Sequence, residues 1–180
     1  MSRIGKKEIT VPTSVKVDIG DKVVASNGKQ SMEVAIPEKI KVNLADNIIT
    51  VTRDSEDNQT KSLHGLTRSL LANAIHGFEN PFKKELQIKG IGYKAAVKGK
   101  KLILNVGYSH PVELEIPTHI TVKIDGSKGT ELVISGVDNM VVGEFAAEIR
   151  DVRPPEPYKG TGIMYAGERI IRKAGKSAGK

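Results

Sequence analysis

An internal repeat constrains the fold of this 180-residue chain more than any other feature of its sequence. The segment 36–42 (IPEKIKV) recurs 80 residues later as 116–122 (IPTHITV), with Ile, Pro, Ile and Val at the same four positions. Each copy is followed by a short apolar alternation, at 48–52 and at 131–135, which is typical of a half-buried strand. Self-similarity at a fixed spacing, in the same order of elements, indicates a duplicated domain.

Each repeat then enters one segment with helical periodicity. Apolar residues recur three and four positions apart in both segments. In the first they are Leu63, Leu66, Leu70, Leu71, Ala74 and Ile75, and in the second Val141, Val142, Phe145, Ala146 and Ile149. Asp138 stands where an N-cap is expected. The sequence therefore predicts an α+β fold of two tandem duplicated domains, each an antiparallel sheet assembly packed with one helix.

Prolines set the expected domain boundaries. Pro81 disfavours helical backbone at Asn80, so the first domain is predicted to cover residues 1–81. The segment 153–157 (RPPEP) stops the second helix and forms a stiff connector, which gives the second domain residues 82–157. Residues 158–180 have no counterpart in the repeat and are predicted to form a basic tail attached to the second domain.

The positive charge is concentrated in that tail. The chain has a net charge of +7, and residues 159–180 hold six Lys or Arg residues against Glu168 alone. A run of charge is often only a solvated surface. Its concentration in a glycine-rich terminus favours a polyanionic partner, above all a nucleic acid.

The start of the tail, 158–165 (YKGTGIMY), has residue types suited to RNA. Glycines let backbone N–H groups approach phosphates, and tyrosine can stack on an unpaired base or bind a phosphate. Packing against the second domain is an equally good interpretation of Tyr165. The segment 168–173 (ERIIRK) is predicted to be a short cationic strand, and 174–180 to become ordered on binding.

Catalytic and metal sites find little support in the sequence. The chain has no cysteine, and its four histidines, at 64, 76, 110 and 119, lack metal-ligand spacing. The segment 90–95 (GIGYKA) fits G-x-G-x-x-A, but a dinucleotide loop must open a helix, whereas this one leads into strand-like residues. We expect no catalytic residues, no metal and no cofactor.

The sequence also predicts no membrane-spanning segment and no signal peptide. No apolar run approaches the ~18 residues of a membrane span, and the first residues do not read as a signal peptide. A cytoplasmic protein without a membrane partner is expected.

Four short motifs give the chain a recognisable resemblance: 1–6 (MSRIGK), 90–95 (GIGYKA), 107–112 (GYSHPV) and 157–160 (PYKG). Together with the duplication, and over its whole length, the chain resembles the bacterial-type L-six family of large-subunit ribosomal proteins. The tail motif of that family usually reads proline–tyrosine–lysine–glycine–lysine–glycine. Here Thr161 replaces the second lysine, which puts one phosphate contact in doubt.

The resemblance implies a structural constituent of the large ribosomal subunit that binds 23S-type ribosomal RNA through its second domain and tail. It implies a position near the sarcin–ricin loop and the stalk base, with translation factors and other large-subunit proteins as neighbours, in a cytoplasmic or organellar ribosome. The implied contact motif is Tyr158, Lys159, Gly160 and Gly162. Charge adds Arg169, Arg172, Lys173 and Lys176 in the tail, and Arg3, Lys6 and Lys7 at the N-terminus. The alternatives are a free RNA-binding or chaperone module, and a small enzyme acting on a phosphorylated substrate at the glycine turns.

Overall fold

The computed structural model describes residues 4–28, 30–125 and 129–175. The chain divides into two compact units, Met1–Pro81 and Phe82–Lys180. Each unit has its own hydrophobic core, antiparallel sheets and one helix. The predicted fold class, two tandem α+β domains, is confirmed.

Six strands and one helix lie in the described part of the first unit. They are β1 (Ile9–Thr10), β2 (Lys16–Ile19), β3 (Lys22–Ser26), β4 (Ser31–Ala35), β5 (Ile40–Ala45), β6 (Ile48–Arg53) and α1 (Asn58–Glu79). The strands form two three-stranded antiparallel sheets, in the orders β1-β6-β5 and β2-β3-β4. Helix α1 packs against strands of both sheets and closes the core between them.

The second unit repeats this plan with one strand more over residues 82–125 and 129–175. Its elements are β7 (Phe82–Lys89), β8 (Lys94–Lys98), β9 (Lys101–Asn105), β10 (Val112–Glu115), β11 (Ile120–Asp125), β12 (Glu131–Gly136), α2 (Asn139–Val152) and β13 (Gly162–Tyr165). The sheet orders are β11-β12-β7-β13 and β10-β9-β8. Strand β7 takes the place of β1, and β13 has no counterpart among the described residues of the first unit.

The repeated Ile-Pro segment builds the same corner in both units. The N–H of Ile40 donates to Pro37 O over 2.9 Å, and the N–H of Ile120 donates to Pro117 O over 3.3 Å. Each corner leads into a strand, β5 or β11, that pairs antiparallel with the next strand along the chain. The sequence repeat is therefore also a structural repeat.

The helices begin and end where local chemistry directs them. Asp138 caps α2, as predicted, by accepting from the N–H of Met140 over 2.8 Å. Asp57 caps α1 by accepting from the N–H of Thr60. This hydrogen bond, with one from the Ser55 hydroxyl, holds the pKa of the Asp57 carboxyl far below its usual range. Helix α1 ends at Glu79, with extended backbone at Asn80. Among the described residues, neither helix has the length and apolar character needed to cross a membrane.

The buried face of α1 differs from the predicted leucine stripe. Leu66 is 54% exposed, whereas Thr60, His64 and Thr67 are buried. The buried stripe runs through 60, 64, 67, 71 and 74, so Leu66 lies off it. The side chain of His64 is accommodated because Nε2 lies 2.9 Å from Val51 O.

Candidate nucleic-acid interface

Part of the predicted tail belongs to a sheet of the second unit. Strand β13 pairs antiparallel with β7, with Gly162 opposite Lys89 and Ile163 opposite Ile88. Ile163 is 0% exposed and Met164 2%. The two apolar residues are therefore buried in the second unit, and this part of the tail is not an appendage to it.

The prediction of a strand at 168–173 is wrong. These residues have no regular secondary structure, and the chain leaves the sheet edge at a turn after Tyr165. The N–H of Glu168 donates to Tyr165 O over 3.1 Å, and Gly167 has a φ of +79°. That turn directs the basic segment away from the sheet edge, so it does not add another strand.

Glu156 organises the loop that precedes β13. Its carboxylate accepts from the N–H of Lys159 over 2.7 Å, and its carbonyl oxygen accepts from the N–H of Gly160 over 3.1 Å. Its own N–H donates to Thr161 O over 3.0 Å. The N–H groups of Lys159 and Gly160 are thus used within the protein, so the expectation that glycine N–H groups of this segment approach phosphates does not extend to Gly160. The side chains of Tyr158, 55% exposed, and Lys159 are the accessible groups.

The two glycines of the predicted contact motif are buried and shape the loop. Gly160 has a φ of +70°, and a Cβ there would lie 3.2 Å from the Arg172 guanidinium. Gly162 has a φ of +139°, and a Cβ there would lie 2.6 Å from Pro154 O. The positive φ favours glycine at both positions. At Gly162 the close approach of the Pro154 backbone adds a second reason.

The basic segment folds back onto this loop. The N–H of Lys173 donates to Pro157 O over 2.9 Å, and Arg172 lies against Gly160. These contacts bring Arg172 and Lys173 beside Tyr158 and Lys159. We call this group, together with the exposed Arg169 on the same segment, the tail surface: Tyr158, Lys159, Arg169, Arg172 and Lys173.

The remaining predicted contact residues lie elsewhere. Lys6 and Lys7 are exposed residues of the first unit, where Lys7 O accepts from Arg68 Nε over 3.0 Å. Arg3 and Lys176 are outside the described residues. The described part of the chain also contains no group of three His, Asp or Glu side chains that could hold a metal ion.

Glu168 anchors the basic segment to helix α2. Its carboxylate accepts from Arg150 Nη2 over 2.6 Å and Arg150 Nε over 3.2 Å, and from the N–H of Tyr165 over 3.0 Å. The hydrogen bonds from Arg150, then that from Tyr165, hold the pKa of Glu168 below its usual range. The Arg150 guanidinium also lies 5.8 Å from the centroid of the Tyr165 ring. Tyr165 is thus packed against the domain, one of the two roles that the sequence left open for it.

This anchor gives the segment a pH dependence. Because the pKa of Glu168 is lower in the folded state, its stabilising contribution is present above the ordinary glutamate pKa of about 4.3 and is lost as the pH falls through the lowered value. We expect the amides of 166–172 to gain mobility on acidification. The variant Glu168→Gln should show that mobility already at pH 7. ¹⁵N relaxation measures this mobility. The control variant Glu144→Gln, on the exposed face of α2, should resemble the wild type. Equal relaxation of the wild type and Glu168→Gln at neutral pH would exclude Glu168 as the anchor.

Two further glycine-containing loops meet at the same end of the second unit. The turn between β7 and β8 is fixed by the Tyr93 side chain. A Cβ at Gly90 would lie 2.5 Å from the Tyr93 ring, and one at Gly107 would lie 2.7 Å from its hydroxyl oxygen. Next to Gly107, the Tyr108 hydroxyl donates to Val152 O over 2.9 Å. The Arg153 guanidinium lies 4.9 Å from the Tyr108 ring centroid, and the N–H of Ile163 donates to Arg153 O over 2.7 Å. Contacts therefore connect both loops to the start of β13.

These contacts explain three of the four motifs that carried the family resemblance. The motifs at 90–95, 107–112 and 157–160 pack at one end of the second unit. The 90–95 segment connects two strands and does not open a helix. This excludes the dinucleotide-loop interpretation, for the reason that the strand-like residues after it had indicated. The fourth motif belongs to the first unit, where Gly5 lies directly against the His64 ring.

Comparison with known proteins gives the same division of the chain. A family model described as ribosomal protein L6 matches residues 11–80 and 89–166, one match in each unit. The chain belongs to the ribosomal protein L6 family. The second match extends through β13, so the family pattern includes the extra strand of the second unit.

Curated relatives of this L6-family chain match it from end to end. A large ribosomal subunit protein uL6 of Maridesulfovibrio salexigens is 49% identical over 178 residues, covering 98% of this chain and 99% of the relative. The uL6 protein of Nitratidesulfovibrio vulgaris is 49% identical over 181 positions, covering 100% and 99%. That of Prochlorococcus marinus is 48% identical over 181 positions, covering both chains fully.

Family membership confirms the bacterial-type L-six resemblance. An L6-family chain is a structural protein of the large ribosomal subunit and not an enzyme. The predicted location, in the large subunit of cytoplasmic ribosomes, agrees with these bacterial relatives.

Proposed function

We propose that this chain binds 23S-type ribosomal RNA mainly through its second domain, residues 82–157, and its basic tail, residues 158–180. In this role it helps to shape the region near the sarcin–ricin loop and stalk base that translation factors use, beside neighbouring large-subunit proteins. The observation that carries the proposal is the return of the basic segment onto the 156–161 loop. That return gathers the cations of the tail surface around Tyr158.

The chemistry of the tail surface favours recognition of RNA shape and phosphates. Lys159, Arg169, Arg172 and Lys173 are exposed cations, and such side chains position a protein on a phosphate backbone. Aromatic residues make up only 4% of the chain, and Tyr165 of β13 packs against Arg150. Stacking of successive bases on a sheet face is therefore not the mode of RNA recognition that we propose for this domain.

Charge also indicates which side of the second domain faces RNA. Helix α2 exposes Glu144, Glu148 and Asp151, which would repel phosphates. The loop end that carries the tail surface has the opposite sign. In the first domain, Lys6 and Lys7, with Arg3, are proposed to add secondary phosphate contacts.

High-salt sedimentation of the tagged full-length chain tests this function. The protein should stay with the large subunit through a salt wash and move to the top of the gradient after ribonuclease treatment. Sedimentation at the top without ribonuclease would instead support the free RNA-binding or chaperone alternative. Unchanged co-sedimentation after complete RNA digestion would show that protein neighbours, and not RNA, hold the chain.

A further inference from the structure

Ile91 lies at the tip of the turn between β7 and β8, outside the tail surface. We propose that its side chain packs against an unstacked nucleobase of the bound RNA, between phosphates held by Lys89 and Lys94. The inference rests on the proposed function and extends the RNA interface from the tail surface across the end of the second domain.

The turn presents Ile91 in a fixed conformation. The N–H of Tyr93 donates to Gly90 O over 3.3 Å, and Gly92 has a φ of +75°. The Tyr93 ring fills the space beside Gly90 and Gly107 and fixes the base of the turn. Because the turn is already ordered, a ligand that contacts its tip does not have to order it on binding.

The side chain of Ile91 contributes nothing to the core. It is 104% exposed, the highest value among the large apolar side chains that the structure describes. A single exposed apolar residue is common on protein surfaces and by itself needs no ligand. Here, however, the neighbouring lysines, Lys89 and Lys94, are both exposed, so an apolar tip stands between two cations.

The position of the turn connects it to the tail surface. Lys89 is the register partner of Gly162, so the chain enters the turn directly beside the loop that carries Tyr158 and Lys159. The turn and that loop therefore extend from the same end of β7 and β13, where one bound stretch of RNA can contact both.

The chemistry of the site selects the part of the RNA that it contacts. An aliphatic side chain offers no hydrogen bond to a phosphate or to a base edge. It gains from contact with the apolar face of a base, as apolar wedges do where a base stack is opened. Bases with accessible faces occur at bulges, loops and helix ends of folded RNA. The site therefore fits an unpaired nucleotide flanked by phosphates.

The test is binding of the full chain to deproteinised 23S-type ribosomal RNA over a series of salt concentrations, with transfer RNA as competitor. We expect Ile91→Ser to raise the Kd about tenfold, since serine loses most of the apolar contact area. The slope of log affinity against log salt should not change, because no charge is removed. Ile91→Leu should bind nearly as the wild type does. The control, Leu66→Ser, removes another exposed apolar side chain, on α1, and should have no effect.

The possible results separate this inference from the proposed function. Wild-type affinity in Ile91→Ser overturns the contact at Ile91 and leaves the RNA-binding function in place. An equal loss in Leu66→Ser, or a flattened salt slope in Ile91→Ser, also overturns an apolar contact specific to Ile91. Failure of the wild-type chain to bind 23S-type RNA in excess of the competitor overturns the proposed function itself.

Discussion

Replacement of Arg169, Arg172, Lys173 and Lys176 together by glutamine is expected to raise the Kd for 23S-type ribosomal RNA about a thousandfold near 0.1 M salt. Each lost phosphate contact lowers the slope of log affinity against log salt by about 0.7 to 0.9. Four lost contacts lower the slope by roughly three units. If the wild type and the variant bind equally at 1 M salt, their affinities therefore differ about a thousandfold at 0.1 M. Filter binding over a tenfold range of KCl concentration measures both the affinity and the slope.

A variant with the same loss of charge in the first domain controls for net charge. Lys16, Lys22, Lys39 and Lys41 are exposed residues of that domain, and their joint replacement by glutamine should leave the slope close to that of the wild type. An unchanged slope in the tail variant would contradict the tail surface as the main contact. An equally reduced slope in the control would mean that only the total charge of the chain matters.

The fold was largely predictable because its signals are local and occur twice. The Ile-Pro segments form their corners by short-range hydrogen bonds, at Ile40 and at Ile120, and the strand patterns follow directly. The buried face of α1 was less predictable. Thr60, His64 and Thr67 are polar, and polar helix residues usually face water. Their burial depends on the tertiary structure, as His64 shows, since its partner, the carbonyl oxygen of Val51, lies in another element.

The candidate site was predictable in composition but not in arrangement. The sequence shows that cations and glycines are concentrated after residue 158. It does not show that Ile163 and Met164 join a sheet whose other strands lie earlier in the sequence. It also does not show that Glu168 binds Arg150 and that the chain turns away from the sheet at Gly167. Both depend on contacts between distant residues, so the strand was expected at 168–173 instead of at Gly162–Tyr165.

The variant Gly162→Ala is expected to lower the free energy of unfolding of the second domain by about 2 to 4 kcal/mol. The φ of Gly162 is +139°, which strains any residue with a Cβ, and the added atom would lie 2.6 Å from Pro154 O and 2.8 Å from the Pro155 Cα. Both are backbone atoms, so the collision cannot be relieved by a side-chain rotation. Hydrogen exchange of the amides of β7 and β13 in the full chain measures the loss within this domain.

Gly167→Ala is the matched control for Gly162→Ala. Gly167 also has a positive φ, +79°, but a Cβ there would meet no atom within 4 Å, so backbone strain alone should cost about 1 kcal/mol. Equal destabilisation by the two variants would exclude the collision with Pro154. RNA binding then separates stability from the placement of charge. Gly162→Ala removes no charge, so it should retain the wild-type salt slope at a temperature where the second domain is still folded. A reduced slope in the folded variant would show that the added Cβ moves cations of the tail surface away from phosphates, because the slope counts the phosphates that cations neutralise.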